Sequence, residues 1–127
     1  MQHSHIIAAI DASPMNRGLS GAEWFAHEGN VAIEIEEDIF LFDHEGPGYY
    51  QIHFLTCEGG KATIDRAKRA FQIMFDDHDA SLLFGLVPVS RRDVAVMANR
   101  VGGIYARTVP TPFEPCRLYI VPKGRIQ

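Results

Sequence analysis

Residues 49–87 constrain the fold more than any other part of the chain. A run rich in aromatic and β-branched residues, 49–56, is followed by Gly59-Gly60, and from 62 to 78 the apolar residues Ile64, Ala67, Phe71, Met74 and Phe75 recur at spacings of three and four. That is the period of an amphipathic helix, with Lys61, Arg66, Lys68 and Arg69 around it. The stretch 81–87, Ser-Leu-Leu-Phe-Gly-Leu-Val, is apolar on both faces and stops at Pro88, as a strand covered on both sides does. A helix of about 16 residues is long enough to bring the chain back beside the strand it left, so the spacing predicts a right-handed β-α-β crossover with 49–56 and 81–87 parallel.

The flanks supply the rest of a sheet. Segments 3–11 and 20–28 are apolar on one side and are separated by Ser13-Pro14 and Gly18, which suggests two short helices. Val31, Ile33 and Ile35 alternate with Ala32, Glu34 and Glu36, and Ile39 to Phe42 follows Glu37-Asp38. Two tightly joined strands result, then a turn at 44–48, so 32–56 reads as an antiparallel meander. Ser90-Arg91-Arg92-Asp93 resembles a capping box opening a helix through Val94, Met97 and Val101 that closes at Gly102-Gly103. Strands at 104–109 and 117–121 finish the chain.

With 127 residues, 46% of them apolar, the chain has room for one domain, 1–127, with one core. The longest apolar stretches fall far short of a membrane span and the N-terminus lacks a basic signal-peptide head, so a soluble, cytoplasmic protein is expected. Cys57 and Cys116 lie outside any C-x-x-C, which indicates neither a disulfide framework nor a cysteine zinc site. The net charge of −4 hides an asymmetry: residues 1–60 hold ten Asp/Glu against one Arg, and residues 61–127 hold eleven Lys/Arg against six Asp/Glu. The acidic middle argues against nucleic-acid binding there, and a polyanionic ligand prefers the second half. The plainer reading is that acidic strands face solvent.

Gly59 and Gly60 lie between a strand end and the first turn of a helix, where free backbone N–H groups bind anions and glycine permits close approach. The alternative is a pair that merely turns the chain. A nucleoside-triphosphate P-loop is excluded by Leu55 and Ala62 where Gly and Ser/Thr are required, and no G-x-G-x-x-G is present. His53 is the first candidate for a general base because histidine titrates near neutrality, with Glu34 and Glu36 as carboxylate candidates. An unreactive strand histidine is the simpler alternative. His3 and His5 in H-x-H, with Cys57 or Asp11, are a weak metal motif, and no metal is expected. Cys57 beside a helix N-terminus invites a nucleophile reading through a lowered pKa, but no Cys-His-Asn signature accompanies it. Phe40, Phe42, Tyr49, Phe54, Phe71 and Phe75 read as core.

The order of these elements resembles the GNAT superfamily of acyl-CoA-dependent N-acyltransferases, in particular its small phage-encoded members, over about residues 18 to 121. In that family a loop Q/R-x-x-G-x-G/A wraps the coenzyme A pyrophosphate; here the matching stretch is Cys57-Glu58-Gly59-Gly60-Lys61-Ala62, with Cys57 in place of Arg or Gln. The resemblance implies an α/β fold with a mixed, centrally splayed sheet. It also implies acetyl-CoA as co-substrate, held by Glu58, Gly59, Gly60, Lys61 and Ala62, with Phe54, Leu55 and Thr56 serving the pantetheine arm opposite 83–87. The family's acidic Tyr falls on Ala98, which leaves Tyr105 or a water to protonate the leaving thiolate. The implied activity is transfer of an acetyl group to an amine by direct attack. The alternative is a phage structural or head-assembly protein that keeps the fold without catalysis, with a homo-oligomer or an assembly partner.

Overall fold

The computed structural model describes residues 4–13 and 19–124. The chain forms α1 (Ser4–Ala12), α2 (Gly21–Ala26), β1 (Val31–Ile35), β2 (Asp38–Gly46), β3 (Tyr49–Thr56), α3 (Gly60–Asp77), β4 (Leu82–Pro88), α4 (Arg92–Arg100), β5 (Ile104–Val109) and β6 (Cys116–Pro122). All six strands join one sheet in the order β1-β2-β3-β4-β6-β5. β1, β2 and β3 are the antiparallel meander, and β3 and β4 are the parallel pair.

β2 is buried along five consecutive residues from Asp38 to Phe42, because both of its faces are covered. Phe40 and Phe42 pack with Phe71, Met74 and Phe75 of α3, whereas Ile39 and Leu41 pack with Ile6, Ile10 and Trp24 of α1 and α2. Burying each of the large α3 side chains stabilises the fold by about 1.5–3 kcal/mol. The two α1-side helices approach closely at Gly21, where a Cβ would meet the Ile7 carbonyl oxygen at 2.6 Å. α2 carries a true capping box: the Glu23 N–H donates to Ser20 Oγ and the Ser20 N–H donates to the Glu23 carboxylate.

Tyr49, read as core, is instead 49% exposed at the start of β3, and three further features differ from the sequence reading. α3 begins at Gly60, so the glycine pair forms its N-cap and first residue instead of preceding it. The box anticipated at Ser90–Asp93 does not form: Ser90 Oγ donates to Glu114 and Asp93 pairs with Arg91, both of which compete for the groups a box would use. β2 runs on to Gly46, through residues read as a turn. Pro14 and Gly18, the expected breakers, lie outside the described residues, as does His3. Among the described residues, no helix is long and apolar enough to cross a membrane.

The parallel pair β3/β4 holds only through Tyr49↔Leu82, Tyr50↔Leu83 and Gln51↔Phe84. Beyond it, β4 stays with β6 to Pro88 and β3 stays with β2 to Thr56, so the two strands part toward their C-terminal ends. A bulge between Ile39 and Phe40, opposite the end of β3, adds bend to that side of the split. Leu83, placed by the sequence in the diverging part, is still paired and fully buried; divergence starts after Phe84.

Candidate active site

The split between β3 and β4 opens into a cleft of about 310 Å³, on the sheet face that carries α1 and α2. Asp43, Gln51, His53, Phe54 and Leu55 line the cleft, and strand alternation turns the Phe54 ring toward Phe40 of the α3-side core, 5.0 Å away edge to face. Leu86 and Pro88 form the opposite wall. The backbone of 52–56, with no partner strand on the β4 side, is the part of β3 that can bind an extended ligand.

At the cleft wall three side chains form a chain. Trp24 Nε1–H donates to Asp43 Oδ1 at 2.6 Å, and His53 Nε2 lies 2.9 Å from Asp43 Oδ2. Burial pushes the Asp43 carboxyl upward, but the hydrogen bond and charge of His53, the Trp24 indole and nearby His27 together hold it below the usual value. An ionised carboxylate only accepts, so a proton sits on His53 Nε2, and in the neutral ring the lone pair is left on Nδ1. A half-buried imidazole so fixed is suited to take a proton from an incoming nucleophile.

The loop between β3 and α3 is organised by Asp38, which is completely buried. Its carboxylate accepts from the Glu58 N–H at 2.9 Å and from Thr63 Oγ1–H at 2.6 Å, and Thr63 Oγ1 in turn accepts the Gly59 N–H at 2.8 Å. Gly59 and Gly60 take φ of +94° and +68°, which side chains resist, and a Cβ on either would meet nothing within 4 Å. The loop therefore presents open backbone, and helix geometry leaves the N–H groups of Gly60, Lys61 and Ala62 without intrahelical acceptors.

Arg66 does not face a ligand as a phosphate-binding cation would. Its guanidinium pairs with Glu36 at 2.9 Å, with Asp38 at 3.4 Å and with Glu58. The Glu58 hydrogen bond above all, reinforced by Glu36, raises its pKa still further. Lys61, paired with Asp65 across one helical turn, is the exposed cation of the loop.

The remaining candidates are scattered. Glu34, at the outer strand, pairs with His5 at 2.7 Å, and Glu36 is held by Arg66; neither lines the cleft. Thr56 pairs with Ile39 at the end of the meander. The Cys57 thiol is pushed up to about 12, by burial first and then by the Asp38 charge, so the helix N-terminus does not activate it. Tyr105 lies on the edge strand with its hydroxyl 2.8 Å from Thr108 Oγ1, outside the cleft lining. Among the described residues, no three His, Cys, Asp or Glu side chains are placed to share a metal ion. Asp43 and Trp24 are not candidates on sequence grounds. Asp43 falls where an expected strand gives way to an expected turn, and only the register that sets β2 against β3 brings it to His53.

No family model and no curated protein matches this chain. Solved structures do. A variant of the spermidine N-acetyltransferase SpeG from Vibrio cholerae superposes with a TM-score of 0.74 at 9% identity, covering 98% of this chain and 92% of its own. The aminoglycoside acetyltransferase AAC(6')-Ib in complex with coenzyme A and kanamycin gives 0.69 at 13% identity over 95% and 89%. The same enzyme with an aminoglycoside and acetyl-CoA gives 0.65 at 15% identity over 80% and 69%. At these identities the likeness is one of fold: the mixed α/β sheet with one parallel pair is the GNAT fold.

Proposed function

We propose that this protein is an acetyl-CoA-dependent N-acyltransferase that transfers the acetyl group directly to an amine. The observation that carries the reading is the split between β3 and β4 with His53, oriented by Asp43, on its wall. The likeness in fold to acetyltransferases solved with coenzyme A or acetyl-CoA supports it.

The loop fits the pyrophosphate of the co-substrate through backbone more than through charge: the first-turn amides of α3 and Lys61 supply the attraction, and Arg66 fixes the loop instead of binding. The pantetheine arm would take its hydrogen bonds from the open edge of 52–56, and the N–H groups there would polarise the thioester carbonyl. An amine entering on the α1/α2 side gives its proton to His53 Nδ1 and attacks the carbonyl carbon. As the N–C bond forms and the C–S bond breaks, the thiolate recovers a proton from the His53 imidazolium or from water. Glu34 and Glu36 have no part in this route. No observation favours the phage head-assembly alternative.

His53→Gln tests the proposal, with acetyl-CoA binding followed by calorimetry and thiol release followed in the presence of amines. Turnover should fall about 10²- to 10⁴-fold, the usual share of a general base, while acetyl-CoA affinity holds. Unchanged turnover would remove His53 from the mechanism, and absence of acetyl-CoA binding by the wild type would remove the proposal.

A further inference from the structure

The geometry points to the class of acceptor: a monoamine with an apolar body, not a polyamine or an aminoglycoside. The inference rests on the acyltransferase reading and concerns the same cleft. All sixteen Asp and Glu of the chain lie among the described residues, so these side chains can be placed completely. Asp43 alone of them lines the cleft, and it is engaged by Trp24 and His53. Most of the remaining lining is apolar, including Ile10, Leu19, Leu41, Leu55, Leu86 and Pro88.

One carboxylate draws one ammonium. Its position beside His53 brings that ammonium to the base that must deprotonate it. A second or third ammonium along the acceptor would be set against apolar side chains, losing water without gaining a partner, which disfavours it strongly. An alkyl or aryl body meets walls of its own kind. Glu23 and Glu45 line an adjoining hollow of about 240 Å³ that shares Leu19, Trp24 and Asp43 with the cleft. Glu23 is held there in the α2 capping box. A diamine that reached this hollow would defeat the inference, so the experiment compares acceptors that differ in that charge alone.

The pair n-hexylamine and 1,6-diaminohexane differs by one terminal ammonium, and Trp24, the chain's single tryptophan, reports binding in the cleft independently of turnover. Titrated into the full chain with coenzyme A present in place of acetyl-CoA, so that no transfer consumes the amine, n-hexylamine should change Trp24 fluorescence saturably, with an affinity at least about tenfold above that of the diamine. The same order should hold in kcat/KM from thiol release, with spermidine and kanamycin below both. Equal or tighter binding of the diamine overturns the inference while leaving the acyltransferase reading intact if the diamine is acetylated. Preferential binding of n-hexylamine without any acetyl transfer overturns the acyltransferase reading, and with it the acceptor role inferred here. No fluorescence response to any amine overturns the inference. Leu19 is 42% exposed on the α1/α2 side of the cleft, so L19E adds a carboxylate where the fold tolerates it and should shift the preference toward the diamine. An unchanged preference in folded L19E also counts against the inference.

Discussion

Asp43→Asn separates the role of Asp43 in holding the fold from its role in setting the His53 tautomer. The amide oxygen can still accept the indole proton that Trp24 donates to Asp43 Oδ1 at 2.6 Å, but the amide nitrogen then faces His53 Nε2 and can only donate. The ring must carry its proton on Nδ1, and the lone pair meant for the amine is turned inward. A charge-assisted hydrogen bond contributes about 1.5–3 kcal/mol and a neutral one about 0.5–1.5. The exchange should therefore cost about 1 kcal/mol of stability, near the low end because the His53 and Asp43 side chains keep 31% and 27% of their exposure. Turnover should fall far more, about 10²- to 10⁴-fold. Asp43→Ala should reverse the balance. It strands the indole N–H of nearly buried Trp24, costing about 1–3 kcal/mol, yet leaves His53 free to choose its tautomer and so retains more activity than Asp43→Asn. Urea unfolding and thiol release on the wild type and the two variants provide both quantities. Turnover of the Asp43→Asn variant at the wild-type rate would refute the tautomer argument. Because the Asp43 pKa is lowered on folding, its stabilising contribution is complete above about pH 4, the unfolded value, and is lost as pH falls through the lower folded value. Asp43→Asn should remove that acid-side loss.

Asp38→Ala should destabilise by roughly 2–5 kcal/mol in urea, since it leaves the Glu58 N–H and the buried Thr63 hydroxyl without their acceptor, and a loss under about 1 kcal/mol would refute the loop network. Gly60→Val places a branched side chain at φ +68°, at a cost of about 1–3 kcal/mol. Its Cβ projects into open space, so acetyl-CoA affinity by calorimetry should fall more than urea stability does. The Cys57 thiol, raised to about 12, should resist iodoacetamide at about pH 8 in the folded protein and react once the chain is unfolded, as read by mass spectrometry.

The β3–α3–β4 unit is legible in the sequence because its signals are local: a period of three to four over 62–78 and an unbroken apolar run ending at Pro88. The splay follows from the family resemblance, and the pairing confirms it from Gly85 onward. The site is legible only in part. His53 is visible as a residue type. Its partner Asp43 is not, because a cross-strand contact depends on register, and β2 extends past the point where its hydrophobic run stops. Asp38 and Arg66 mislead for a related reason. Within a run of acidic residues Asp38 looks like a solvent-facing turn, and on a basic helix Arg66 looks like one more exposed cation; folding buries the first and turns the second toward three carboxylates. The Ser20–Glu23 capping box is written in the chain as S-x-x-E, a closer match to the motif than the S-x-x-D at Ser90, and it is the one that forms.

The central claim is that acetyl-CoA lies in the split between β3 and β4 with its pyrophosphate on the first turn of α3. A titration of the ¹⁵N-labelled protein with acetyl-CoA, followed by backbone amide shifts, tests it residue by residue. Saturable shifts are expected to concentrate at Leu55, Thr56, Gly60, Lys61, Ala62 and Leu86, with the outer strands β1 and β5 unmoved. An unperturbed spectrum at millimolar acetyl-CoA, or shifts confined to residues outside the split and the α3 N-terminus, would contradict it.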